Sequence, residues 1–256
     1  GAKLKEHQSK GAEVMIALDV SNSMLAQDYS PDRLQRAKLA ISRLVDKLNG
    51  DRIGLVLFGG TSFVQLPITT DYVSAKMFLG NISTESVPVQ GTAIGDAINT
   101  CIKSFSAQSE NSRAIIVITD GENHEDNPVE AAKTAASMGI SVYTIGVGSA
   151  QGQPIPMKGG LLKDSQGNIV VTKLDEATLK EVAKAGNGAY VHAGNNEFGL
   201  NPVIDNIRKL NDEEFKSIVF EEYDEQYMYF SAIALGLLVL QMLVAARKVL
   251  RHIFDK

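Results

Sequence analysis

The strongest constraint in this chain is an apolar run that stops on an acid. Val14-Met15-Ile16-Ala17-Leu18 leads directly into Asp19-Val20-Ser21-Asn22-Ser23. Consecutive apolar residues without alternation read as a strand covered on both faces, which is the habit of parallel sheets. An Asp-x-Ser-x-Ser turn at the carboxyl end of such a strand gathers one carboxylate and two hydroxyls on a single tight loop. Those are hard oxygen donors, suited to Mg2+ or Mn2+ rather than to a soft metal.

A second run, Ala114-Ile115-Ile116-Val117-Ile118, ends in Thr119-Asp120-Gly121. Between the two runs, Gly91-Thr92 opens a helical pattern (Ala93, Ile94, Ala97, Ile98, Cys101, Ile102) and offers a further hydroxyl. Ligands of open α/β sheets gather in the crevice outside the carboxyl ends of the strands. Asp19, Ser21, Ser23, Thr92 and Asp120 are therefore expected to face one crevice and form a metal site. Each piece has an ordinary reading when taken singly. Thr-Asp-Gly is a strand-to-helix turn with Asp as N-cap and Gly at positive φ, and Asp-x-Ser-x-Ser is a capping turn. Their joint occurrence in order, each at a strand end or helix start, favours the metal.

The rest of the chain supports an alternating series. Strands are expected near 13–19, 52–58, 63–66, 142–147 and 189–192, and helices over 31–49, 71–79, 128–138, 175–185 and 198–210. Ser30 is read as N-cap of the first helix, with Pro31 at its first position. This alternation predicts a Rossmann-like, doubly wound α/β domain with a mostly parallel sheet. Residues 150–172, rich in Pro and Gly, break the alternation and read as a hairpin insertion. Gly146-x-Gly148 lacks the spacing of a dinucleotide loop, and no phosphate loop or nucleophile elbow is present. A net charge of -5 without a basic stripe excludes nucleic acid as a partner. The single Cys101 rules out an intramolecular disulfide and any multi-cysteine zinc site. His124 is read as a solvated loop residue near the crevice.

The C-terminal stretch 227–246 carries no charged residue over 20 positions. As a helix it spans roughly 30 Å, the thickness of a bilayer core. Glu221, Glu222, Asp224 and Glu225 precede it, and Arg247, Lys248 and Arg251 follow. The positive-inside rule then puts the tail in the cytoplasm and the large domain outside. The expected organisation is a polar lead-in (1–10), the α/β domain (11–210), an acidic connector (211–226, with a short strand at 217–220), a transmembrane helix (227–246) and a basic tail (247–256). No signal-peptide pattern opens the chain at Gly1, so delivery of an external domain would need a segment upstream.

The order and character of these pieces resemble the von Willebrand factor A (VWA) domain and its metal-ion-dependent adhesion site (MIDAS). The resemblance covers roughly 11–210, and all five of its site positions are present. It implies that Ser21, Ser23 and Thr92 touch Mg2+ or Mn2+, while Asp19 and Asp120 act mainly through water. The phrase from Ile16 to Met24, the apolar tail helix and its basic end look like the Bat membrane proteins of bacterial aerotolerance operons, BatA-like or BatB-like. That likeness implies a place in the bacterial inner membrane with the domain on the periplasmic side, two further membrane helices upstream, other Bat proteins as partners, and a MoxR-type AAA+ ATPase alongside. The expected function is a metal-dependent protein-interaction module, not an enzyme. The alternatives are a Mg2+ phosphohydrolase, whose usual second acid is here Ser21, and a scaffold with a purely structural metal.

Overall fold

The computed structural model describes residues 11–48, 50–106, 111–123, 125–193, 200 and 203–207, with six residues between 232 and 242. The chain divides into two compact units, Gly1–Glu213 and Glu214–Lys256. In the first, the elements run β1 (Glu13–Asp19), α1 (Arg33–Val45), β2 (Arg52–Phe58), β3 (Ser62–Thr69), α2 (Tyr72–Gly80), α3 (Ile94–Ser104), β4 (Arg113–Thr119), α4 (Pro128–Ser137) and β5 (Ile140–Gly146). Four two-residue strands follow, β6 (Gln153–Pro154), β7 (Pro156–Met157), β8 (Gly160–Leu161) and β9 (Val171–Thr172), then α5 (Glu176–Ala185) and β10 (Asn187–His192).

Six strands form one sheet in the order β10-β5-β4-β1-β2-β3. β1 pairs in parallel with both β2 and β4, β4 with β5, and β5 with β10; β3 alone runs antiparallel, at the edge. The chain leaves β1 toward one edge and later returns to its other side as β4. The strand order therefore reverses between β1 and β4, where an open α/β sheet leaves a crevice.

Every residue of β1 is buried. Val14, Ile16 and Leu18 pack toward α1 and α2, with Val203, Ile204 and Ile207 joining that face. Met15 and Ala17 pack toward α3, α4 and α5, where Cys101 also lies. Alternate side chains of a strand point to opposite faces, so covering both faces turns the alternation into a continuous apolar run. Any charge at the end of such a strand is buried with it, and Asp19 is fully so.

The predicted series of strands and helices and the short-stranded insertion are present, with local differences. The first helix begins at Arg33, and its cap is Asp32, whose side chain accepts the Gln35 N–H. Ser30 and Pro31, joined by a cis peptide, precede the helix, whose first residue is Arg33. The carboxylate two positions on is better placed to take the free N–H groups of the first turn. α3 likewise begins at Ile94, after Thr92. Of the predicted helix over 198–210, Leu200 and 203–207 are described and helical. The lead-in, His124, the connector with its strand at 217–220, and the tail lie outside the described residues. So does most of the predicted span 227–246; its six described residues are helical, with Leu235, Leu237, Leu238 and Met242 exposed. No helix among the described residues is long and apolar enough to cross a membrane.

The capping assignment predicts that Asp32→Ala lowers stability by about 1 kcal/mol. Ser30→Ala, at an exposed position ahead of the helix, should leave it within about 0.5 kcal/mol. Urea unfolding of the two variants separates the assignments.

Candidate metal site

β1 ends in Asp19 and β4 in Thr119, side by side at the reversal of strand order. Asp19 turns inward and both of its oxygens are held. Oδ1 accepts the Ser21 N–H at 2.8 Å, and Oδ2 accepts the Thr119 hydroxyl at 2.6 Å. The Val20 N–H donates to the Phe58 carbonyl at 2.8 Å, pinning the turn to β2. A short 3-10 turn, Asn22–Leu25, then brings Ser23 back, so that the Ser21 and Ser23 hydroxyl oxygens lie 2.8 Å apart.

Asp120 is also fully buried. It does not cap α4, whose cap is Asn127. Its Oδ2 accepts from Arg33 Nη1 and from the Thr172 hydroxyl, each at 2.9 Å, and its Oδ1 accepts the Glu122 N–H at 3.3 Å. Gly121 follows at φ +81°, and a Cβ there would meet the Asp175 carbonyl oxygen at 2.7 Å. Only glycine lets the chain turn away so abruptly behind the acid.

Thr92 is nearly buried, on the loop ahead of α3. That loop is stitched to the crevice from two sides. The Ala93 N–H donates to the Gly59 carbonyl at 2.8 Å, and the Asn22 N–H donates to Gln90 Oε1 at 2.9 Å. The N-terminus of α3 is clasped from the segment after β4. Asp126 accepts the Gly95 and Asp96 N–H groups at 3.0 and 2.7 Å, and Asn123 accepts that of Ile94 at 3.2 Å. The structure thus ties Asp19, Ser21, Ser23 and Asp120 together by hydrogen bonds and mutual charge, and places Thr92 on the adjoining loop.

Four contributors were not singled out from the sequence: Thr119, Asp126, Thr172 and above all Arg33. Arg33 has no exposed surface. Its Nε and Nη2 grip Asp28 at 2.8 and 2.7 Å, while Nη1 reaches Asp120, the Thr172 hydroxyl at 3.2 Å and the Ser23 carbonyl at 3.5 Å. Asp28 also accepts the Ser149 N–H at 2.8 Å. Gly148 sits at φ +130°, where a Cβ would lie 2.7 Å from the guanidinium carbon, so a side chain there would expel the arginine. The signal for Arg33 was its register, because it falls on the same helical stripe as buried Ala37 and Ile41.

Burial pushes the Asp19 carboxyl up to about 7, with the nearby Asp120 charge adding to the effect and the Thr119 and Ser21 hydrogen bonds opposing it. Burial raises Asp120 as well, against hydrogen bonds from Ser23 and Thr172 and the Arg33 charge. Two buried acids driven toward protonation beside paired hydroxyls form a setting whose strain a bound cation would relieve. The Ser21 and Ser23 hydroxyls are hydrogen-bonded to each other, at a separation that also suits two ligands of one ion. Two neighbouring oxygens on an octahedral Mg2+ with bonds of about 2.1 Å stand about 3.0 Å apart, close to the 2.8 Å between Ser21 and Ser23. Among the described residues no group of three or more His, Cys, Asp or Glu could hold a metal. A cation here would rest on hydroxyl and water oxygens, and this donor set fits a hard divalent ion.

The von Willebrand factor type A domain family profile matches residues 13–196. An aerotolerance-related membrane protein from Bacteroides fragilis is 52% identical, with a TM-score of 0.75, over 78% of this chain and 100% of that one. This chain is a von Willebrand factor type A domain protein of the aerotolerance-related Bat group. BatB from Bacteroides thetaiotaomicron is 50% identical, with a TM-score of 0.71, over 82% of this chain and 99% of that one. A UPF0353 protein of Nocardia farcinica is 32% identical over 77% of this VWA chain, which spans 62% of that relative's length. The mussel byssus proximal thread matrix protein 1, solved with a zinc-occupied MIDAS motif, shares the VWA fold at 18% identity and a TM-score of 0.58, over 79% of this chain and 46% of that one.

The Asp19 shift fixes the sign of a pH dependence. Between its ordinary 3.8 and about 7, the folded state holds a proton that the unfolded state has released. Stability of the metal-free domain therefore falls as pH rises through that window, by at most about 1.4 kcal/mol per pH unit. Thermal melts in EDTA should give a lower midpoint at pH 7 than at pH 5, and Asp19→Asn should weaken the trend, leaving the part that the raised Asp120 contributes. A flat profile for the native chain would contradict the assignment.

Proposed function

We propose that this domain is a metal-dependent protein-interaction module that recognises an acidic side chain of a partner. The observation that carries this reading is the pairing of two fully buried carboxylates with two hydroxyls 2.8 Å apart at the reversal of strand order. Ser21, Ser23 and Thr92 would hold the ion directly, and Asp19 and Asp120 would hold it through water. Magnesium or manganese suits hydroxyl and water donors. With neutral hydroxyls as its nearest protein contacts, a divalent ion bound here supplies uncompensated positive charge to whatever approaches the crevice. A carboxylate is the complementary group.

The same geometry counts against a phosphohydrolase. An aspartate nucleophile must present a free oxygen to its substrate. Here both oxygens of Asp19 are engaged within the fold, at 2.8 and 2.6 Å, and the side chain has no exposed surface. The position two residues on, where such an enzyme carries its acid/base, is Ser21.

We further propose that residues 227–246 anchor the protein in the bacterial inner membrane, with the domain on the periplasmic side and the tail in the cytoplasm. Support comes from the 20 uncharged positions, from the charge step across them, and from the B. fragilis relative, which is named a membrane protein. The partners proposed are other Bat membrane proteins, with a MoxR-type ATPase associated.

Affinity capture from detergent-solubilised membranes tests the reading. Native protein with Mg2+ should retain partners that EDTA removes and that Asp19→Ala, folded by circular dichroism, does not recover. Identical partners in every lane would instead make the cation structural.

A further inference from the structure

Arg33 is an expensive residue to bury, and a module that only had to hold a cation would gain nothing from a second positive charge beside it. Its placement is nevertheless highly determined. Three donors of the guanidinium are fixed by Asp28 and Asp120 at 2.7 to 2.9 Å, and glycine at 148 makes the room it occupies. The negative groups it faces are Asp28, Asp120 and, at longer range, Glu122.

We propose that Arg33 is the built-in counter-ion of the metal cradle. It holds Oδ2 of Asp120; the other oxygen accepts the Glu122 N–H at 3.3 Å and keeps a second lone pair for the cradle. By neutralising part of the buried negative charge, it keeps the site assembled when no cation is bound. The same positive charge repels an incoming divalent ion, so Arg33 also sets an upper limit on metal affinity. The inference rests on the metal reading above and deepens it. A group that stabilises the empty site more than the filled one must lower the affinity for the ion, by linkage. Buried like charges on opposite oxygens of one carboxylate are little screened by solvent or salt.

The role predicts effects of opposite sign, which packing alone would not give. Arg33→Gln removes the charge and keeps a hydrogen-bond donor. It should melt at a lower temperature in EDTA, yet bind Mg2+ at least about tenfold more tightly than the native domain in isothermal titration. Should it fail to fold in EDTA, millimolar Mg2+ should restore its circular dichroism, the ion taking over the task of the arginine. Arg33→Lys keeps the charge without the planar fork. It should also lose stability, but with Mg2+ affinity within about threefold of native. Asp28→Asn frees the guanidinium charge from its other partner and should weaken Mg2+ binding by about threefold or more.

Arg33→Gln that folds and binds Mg2+ no more tightly than native, or that stays unfolded with Mg2+ present, overturns the proposal while leaving the metal site standing. A native domain that binds neither Mg2+ nor Mn2+ overturns the metal reading itself, and this proposal with it.

Discussion

The rest of the structure is organised around the burial of two acids at one point. Asp19 and Asp120 end adjacent central strands, and both lie wholly out of solvent. An isolated carboxylate in such a place would be protonated or would disrupt the packing. The fold accommodates both by surrounding them with donors, although burial still drives each toward protonation. Ser21 and Thr119 serve one acid; Thr172, Arg33 and the Glu122 N–H serve the other. These donors come from the turn after β1, the end of β4, the start of α1 and the insertion, so distant segments meet because the acids require them. A divalent cation would relieve the mutual repulsion of the two acids.

Topology delivers the acids to the same place. The reversal of strand order between β1 and β4 leaves their carboxyl ends without a crossover helix closing over them. The insertion extends the consequence. Thr172 lies on β9 and bonds both Asp120 and Arg33, while the Asp175 N–H donates to the Asp120 carbonyl at 2.8 Å. The segment that interrupts the strand-helix alternation is therefore fastened to the cradle itself, next to the surface where a partner would arrive.

Much of this was legible in the sequence, for physical reasons. A strand buried on both faces cannot hide its composition, so β1 and β4 and the acids ending them were visible as apolar runs. Turn residues marked the insertion because Pro and Gly restrict or free φ in ways that need no tertiary context. Arg33 escaped notice because charge in the first turn of a helix ordinarily faces water, and only its register on the apolar stripe betrays it. Asp126 escaped for a different reason. It caps α3 from about 30 positions along the chain, whereas local capping rules look within one turn. The choice of Asp32 over Ser30 depended on how the chain enters α1, which composition does not reveal.

The proposed function requires a hard divalent cation among Ser21, Ser23 and Thr92. Anomalous diffraction from crystals of the native domain soaked in Mn2+ tests it most directly. The account predicts one strong peak within bonding distance, about 2.2 Å, of those three hydroxyl oxygens, and no peak there in Asp19→Ala crystals. A peak elsewhere with the cradle empty, or no peak at all from crystals of the native chain, would contradict it.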